Sequence, residues 1–106
     1  MITAINIETN LWNRIINLLK FTNWVETYRY DEFDAGIDFD FAVLENDGEE
    51  VLFGWDNWVE GEIHCSESRM KKIESLVGEI LKKGEPVNLK PEVIKLYKPA
   101  TKGKKT

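Results

Sequence analysis

Between Gly36 and Glu45 the chain reads GIDFDFAVLE, and its apolar and charged residues alternate. Successive side chains of a strand point to opposite faces, so Ile37, Phe39, Phe41 and Val43 share one side, and Asp38 and Asp40 the other. Asn46-Asp47-Gly48 is a turn signal, and the next run, Glu49 to Trp55, returns the chain as a hairpin with Val51, Phe53 and Trp55 aligned. Asp56-Asn57-Trp58 turns it again, into Val59 to Cys65. Burial decides the length of that turn. A two-residue turn would place Val51 and Phe53 on the side of Glu60 and Glu62. A three-residue loop pairs Trp55 with Val59, Phe53 with Gly61 and Val51 with Ile63, which gathers the apolar groups on one face. A one-residue slip exchanges the faces of a whole strand, so the longer loop is predicted. Upstream, Trp24 to Glu32 is rich in strand-forming residues, but Glu26 interrupts its alternation, as at a sheet edge. Asp34-Ala35-Gly36 links it to the next strand as a turn.

Helical spacing frames these strands. Residues Ile7 to Thr22 carry Leu11, Ile15, Leu18 and Thr22 at intervals of three to four, widened by Trp12, Ile16 and Leu19. Thr9 or Asn10 suits the N-cap, and Asn23 a stop. Ser66 to Lys83 repeats the pattern with Met70, Ile73, Val77, Ile80 and Leu81, capped by Ser66 or Ser68 and stopped by Gly84 and Pro86. Beyond Glu85, a short helix from Pro91 and an extended edge segment fit equally. The fold class that follows is α+β: a two-layer sandwich, with a four-stranded antiparallel meander under an N-terminal and a C-terminal helix on one face (α-β-β-β-β-α). Residues 1–98 form one domain, and 99–106 a loose basic tail.

The other face of that sheet is left to solvent or a partner. It is expected to carry Asp38, Asp40, Glu50, Glu60, Glu62 and His64, with Arg29 paired to Asp40. Charge sharpens the picture. The net charge of −5 hides a split: Glu26 to Glu62 holds thirteen Asp and Glu against one Arg, while the rest of the chain is basic on balance. A surface so uniform in sign is suited to a basic partner, and equally to keeping sheets from stacking. Trp58, in or just after a turn, either caps the core or anchors an interface.

Catalytic chemistry finds little footing. Asp38, Asp40, Glu60 and Glu62 supply oxygen ligands, but residues two apart on a strand diverge, so no metal site is expected. His64 and Cys65 are neighbours and point apart, which excludes a nucleophile–base pair. There is no P-loop, no GxGxxG and no paired CxxC, and neither a catalytic residue nor a cofactor is expected. Cys65 is the sole cysteine, so no disulfide forms within the chain, in keeping with a reducing compartment. The segment MITAINIETN lacks the basic region followed by an apolar run that a secretory signal needs, and no apolar run reaches the ~18 residues of a membrane span. A cytoplasmic protein is expected, with no membrane contact. Direct nucleic-acid binding is not expected either, because the acidic sheet would repel phosphate despite the lysines near the C-terminus.

The acidic meander IDFDFAVLENDGEEVLFGWDNWVEGEI, followed by the helix SESRMKKIESLVGEIL, resembles in size and style the small acidic immunity proteins of bacterial toxin systems. The resemblance spans about residues 9–84. It implies tight binding of a cognate toxin, often a nuclease, through an acidic surface; small phage-encoded nuclease inhibitors share the style. The expected function is therefore non-enzymatic neutralisation of a basic protein through Asp38, Asp40, Glu50, Trp58, Glu60, Glu62 and His64. A homodimeric structural or regulatory domain, joined through an edge strand or the tail, is the alternative. A metal-dependent hydrolase stands behind both.

Overall fold

The computed structural model describes residues 1–103, with side chains as far as Tyr97. The elements run β1 (Ile2–Ile7), α1 (Thr9–Phe21), β2 (Val25–Arg29), β3 (Phe39–Asn46), β4 (Glu49–Asp56), β5 (Glu60–Cys65), α2 (Glu67–Val77) and α3 (Pro91–Gly103). The class is α+β, as expected. The sheet is antiparallel and has five strands rather than four, in the order β1-β5-β4-β3-β2. The expected meander is present as β2 to β5. The additional strand, β1, pairs with β5 through Ile2–Cys65, Thr3–His64 and Ala4–Ile63, then bulges and resumes at Ile7–Gly61. Asn6 sits in the bulge at φ 53°, so Ala4 and Ile7 are both buried although three residues apart. The bulge removes the period of two by which a strand is recognised.

The β3–β4 turn sets the faces. Asn46 pairs with Glu49, and Asp47 and Gly48 both take positive φ (53° and 80°), as a two-residue type I′ hairpin requires. A two-residue loop places odd positions of β3 opposite even positions of β4: Phe41 faces Gly54, Ala42 faces Phe53 and Val43 faces Leu52. The inward set expected for β3 is therefore inverted. Ala42 and Leu44, with Val51, Phe53, Trp55, Ile63 and Cys65, lie beneath α1 and α2. Phe39, Phe41 and Val43 lie on the opposite face, and Ile37 lies outside the strand, 63 % exposed. That opposite face is not open: α3 covers it with Val93, Ile94 and Tyr97, after Leu89. Helices thus pack on both faces, and the two-layer expectation gives way to three layers over β2, β3 and β4. The β4–β5 loop does have three residues, Asn57 to Val59, one position later than expected. Trp55 pairs with Gly61 rather than Val59, and Phe53 with Ile63; the shift is two residues, so the faces are those expected.

Two glycines make this packing possible. A Cβ on Gly61 would lie 2.4 Å from the Trp12 ring, and one on Gly54 2.8 Å from Leu89, so each gives a large side chain room against the strand. α1 buries Trp12, Ile15, Ile16 and Leu19. Its end is a Schellman motif, with Asn23 at φ 78° and Trp24 N–H donating to Leu19 O at 3.1 Å. α2 is capped by Ser66, whose Oγ accepts from Arg69 N–H. It ends at Val77 rather than Lys83, because Gly78 turns left-handed at φ 74°. The freed segment crosses to β1, where Ile5 N–H donates to Lys82 O and Gly84 N–H to Thr3 O, covering that sheet edge. Leu81 is buried there, whereas Ile80, expected in the helix stripe, is 84 % exposed. The expected tail begins at Pro99, but α3 carries the chain on to Gly103; residues 104–106 lie outside those described. Among the described residues no helix is long and apolar enough to cross a membrane.

Candidate protein-binding surface

The six residues expected on one acidic face, and Trp58 expected in the turn beside them, are dispersed. Asp40 is buried and forms a bidentate pair with Arg29, Nε to Oδ1 at 2.9 Å and Nη2 to Oδ2 at 2.8 Å. The expected Arg29–Asp40 pair is present, though only its Arg29 end reaches solvent, and it is placed diagonally, since Arg29 stands opposite Ala42 and near the Trp12 ring of α1. The hydrogen bonds that Arg29 donates to Asp40 hold its proton more firmly, against an opposing push from burial. Glu62 is 1 % exposed, and its carboxylate accepts the backbone N–H groups of Val87, Asn88 and Leu89 at 2.8, 2.9 and 3.1 Å. These two acids therefore serve the interior: one fixes β2, the other the segment before α3. His64 is half-buried, 2.9 Å from Thr3 Oγ1, and burial, helped by the N-terminal amine, pushes its pKa down. Glu50 is half-buried near the β3–β4 hairpin, at the far end of the sheet from Trp58.

Asp38, Trp58 and Glu60 do come together, at the end of the sheet where β3 begins and β5 begins. Asn57 N–H donates to Asp38 O at 3.2 Å, which fastens the β4–β5 loop to the β2–β3 connection. Asp56 Oδ1 accepts from Trp58 N–H and Val59 N–H at 2.9 and 2.7 Å, so the loop backbone is fixed while the indole of Trp58 stays 76 % exposed. Glu60, at φ 61°, stands opposite Asp56 and closes the three-residue loop. Its Oε1 accepts from Thr9 N–H and Thr9 Oγ1 at 2.8 and 2.9 Å. It thereby takes the capping role expected of Thr9 or Asn10, and Trp55 Nε1 adds a bond to Thr9 Oγ1.

The β2–β3 connection is internally tied. Tyr30 hydroxyl donates to Asp34 Oδ1, and Asp34 in turn holds the phenol proton and raises its pKa. Ala35 N–H reaches Glu32 O, and Gly36, at φ 75°, reaches Phe39 O. The fold of this loop turns Phe33 outward at 96 % exposure and Ile37 at 63 %, among exposed Asp31, Glu32 and Asp38. Phe33 and Ile37 were not expected here. The sequence signal for Phe33 was a bulky aromatic inside the polar, turn-forming run YDEFDAG, outside any alternating stretch.

Two joined loops at this end of the sheet therefore expose three large apolar side chains, Phe33 and Ile37 on one and Trp58 on the other, and both loops carry carboxylates. Among the described residues no three His, Cys, Asp or Glu side chains converge as metal ligands would. Cys65 is buried, and burial pushes its thiol pKa to about 12, far from a nucleophile's range. This chain matches no protein-family description, no curated protein and no solved structure.

Proposed function

We propose that this chain is a non-enzymatic binding protein that neutralises a basic protein partner, as an immunity protein or inhibitor directed at a bacterial toxin of the nuclease class. The observation that carries the reading is the end surface: Phe33, Ile37 and Trp58 exposed beside Asp31, Glu32, Asp38 and Glu60. Exposed aromatic side chains on a fixed backbone are the usual anchors of protein interfaces. Carboxylates around them speed encounter with a basic surface and disfavour acidic competitors. A nuclease offers such a surface where it holds phosphate. The binding residues are thus Asp38, Trp58 and Glu60 with Phe33 and Ile37, and the buried Asp40 and Glu62 have no part in them. A cytoplasmic setting fits the single, buried Cys65.

The test is capture of a basic protein from the source lysate by the full chain, followed by kinetics on the purified pair. The double variant Phe33→Ser, Trp58→Ser is expected to lose about 2 kcal/mol or more of binding, some thirtyfold in affinity, while its circular dichroism stays that of the parent. Association is expected to slow as salt is added. Affinity unaltered by the double substitution, or a salt-independent association rate, would reject the reading.

The homodimer reading has one observation in its favour. The β1 edge is covered by residues 82–84, whereas Val25 at the β2 edge is 62 % exposed. The bulge at Thr27 and the charges of Glu26 and Arg29 oppose strand pairing there. Light scattering distinguishes the readings: a dimer broken by Val25→Lys supports the second one.

A further inference from the structure

α3 is held differently from the other helices. α1 and α2 are each anchored by fully buried side chains, Trp12, Ile15 and Ile16 in the first and Met70 and Ile73 in the second, although Phe21 and Leu76 stay exposed. α3 rests on Val93, Ile94 and Tyr97, each only partly buried, and leaves Leu96 65 % exposed. Its floor is aromatic. The Tyr97 ring lies 5.2 Å from Phe41, 5.5 Å from Phe39, 5.6 Å from Tyr30 and 6.4 Å from Tyr28. The rim is acidic: Asp34 is bonded to Tyr30, and the charges of Asp34 and Glu32 add to burial in raising the Tyr97 pKa. The sequence of α3 and the residues after it is basic, with Lys95, Lys98, Lys102, Lys104 and Lys105 against Glu92. The firm anchor lies before the helix, where Leu89 is buried and Glu62 holds residues 87–89. Pro91 then starts α3.

We propose that the aromatic floor formed by Tyr28, Tyr30, Phe39 and Phe41 is a groove for a basic amphipathic helix of the partner, and that α3 is its displaceable internal occupant. The inference rests on the reading above that the partner is basic. It names the element the partner presents: a helix with two or three apolar residues at intervals of three to four and lysine or arginine on its flanks. α3 shows what the groove accepts in side chains, Val93, Ile94 and Tyr97. An internal occupant lowers the apparent affinity for any rival by the fraction of time the groove is open.

The probe is a labelled peptide with the sequence of residues 91–106, titrated by anisotropy against the full-length chain and against its Tyr97→Asp variant. The variant, its own helix weakened, is expected to bind the peptide about tenfold more tightly than the parent. A peptide with glutamate in place of its five lysines is expected not to bind. A folded Tyr97→Asp chain that takes the peptide no more tightly than the parent would overturn the groove. So would a parent chain that dimerises by exchanging α3 instead of capturing peptide. If the variant does not fold, hydrogen exchange on the parent decides. Amides of α3 that exchange well before those of β3 and β4 support a displaceable helix, and exchange of all three only on global unfolding rejects it. Loss of the groove alone leaves capture through Phe33 and Trp58 intact, whereas failure of that capture removes the basic partner itself.

Discussion

Glu62 shows how far a single residue's role can lie from its sequence reading. In the pattern it was one acid among several on an exposed strand face. In the fold it is sealed beneath the loop before α3, its two oxygens taking three backbone N–H groups. Glu62→Gln keeps the shape but turns an amide NH₂ toward those donors. It is expected to destabilise the chain by about 1–3 kcal/mol, measured by urea unfolding, and to increase hydrogen exchange at residues 87–89. Gly61 illustrates the opposite economy, in which nothing is the functional side chain. A Cβ there would meet the Trp12 ring at 2.4 Å with its indole already bonded to Glu62 O at 3.1 Å. Gly61→Ala should therefore cost about 1–3 kcal/mol, visible as a lower urea midpoint with an unchanged slope.

Among the elements, those with a clear periodic pattern and a defined end were legible. α1 follows its apolar spacing and its stop at Asn23, the start of α2 its spacing and its Ser66 cap, and β4 and β5 their alternation. β3 was legible as a strand but not in its orientation, because it is apolar on both faces: Phe39, Phe41 and Val43 on one, Ala42 and Leu44 on the other. Only the two-residue turn at Asp47-Gly48 selects which set meets α1 and α2. α2 misled in length, since Val77, Ile80 and Leu81 continue a helical spacing beyond the residue that ends it. Gly78 decides, being left-handed at φ 74° with open space around it. Gly78→Ala is expected to destabilise the chain by about 1–2 kcal/mol through that backbone conformation alone. A loss well below that, in a thermal melt of the folded variant, would show that α2 can extend through residue 78.

At the scale of the molecule, charges join the layers. Arg69 of α2 forms a bidentate pair with Glu49 of β4, with both contacts at 2.9 Å, and lies over the Trp24 ring. Glu74 of α2 accepts from Lys83 and from Leu81 N–H, fastening the β1-edge segment. The hydrogen bond from Arg69 lowers the Glu49 pKa, and that from Lys83 lowers the Glu74 pKa, each outweighing burial. A depressed carboxyl pKa stabilises the fold above the unfolded value of 4.5, and the benefit is lost as pH falls through the folded value. His64 acts in the same direction. Its folded pKa lies below 6.5, so on acidification the unfolded chain binds the proton first. Stability is expected to decline as pH drops below 6.5 and again, more steeply, below 4.5. Urea midpoints across this range check it: His64→Gln should remove the upper step, and Glu74→Gln should reduce the lower one.

What the sequence determined by itself was local: the antiparallel meander, the helices before and after it, the stops at Asn23 and Gly36, and the concentration of acid between Glu26 and Glu62. These depend on side-chain periodicity and on which residues tolerate a turn, and both act within a few neighbours. Tertiary structure decided which face of β3 meets which helix, that Asp40 and Glu62 are inside while Phe33 and Ile37 are out, and that α3 closes the face expected to be open. Each of those outcomes depends on the pairing of segments far apart in the chain. A bulge at Asn6 or a two-residue turn at Asp47 shifts the parity of everything beyond it, and periodicity cannot reveal a cover that arrives from a segment some fifty residues later.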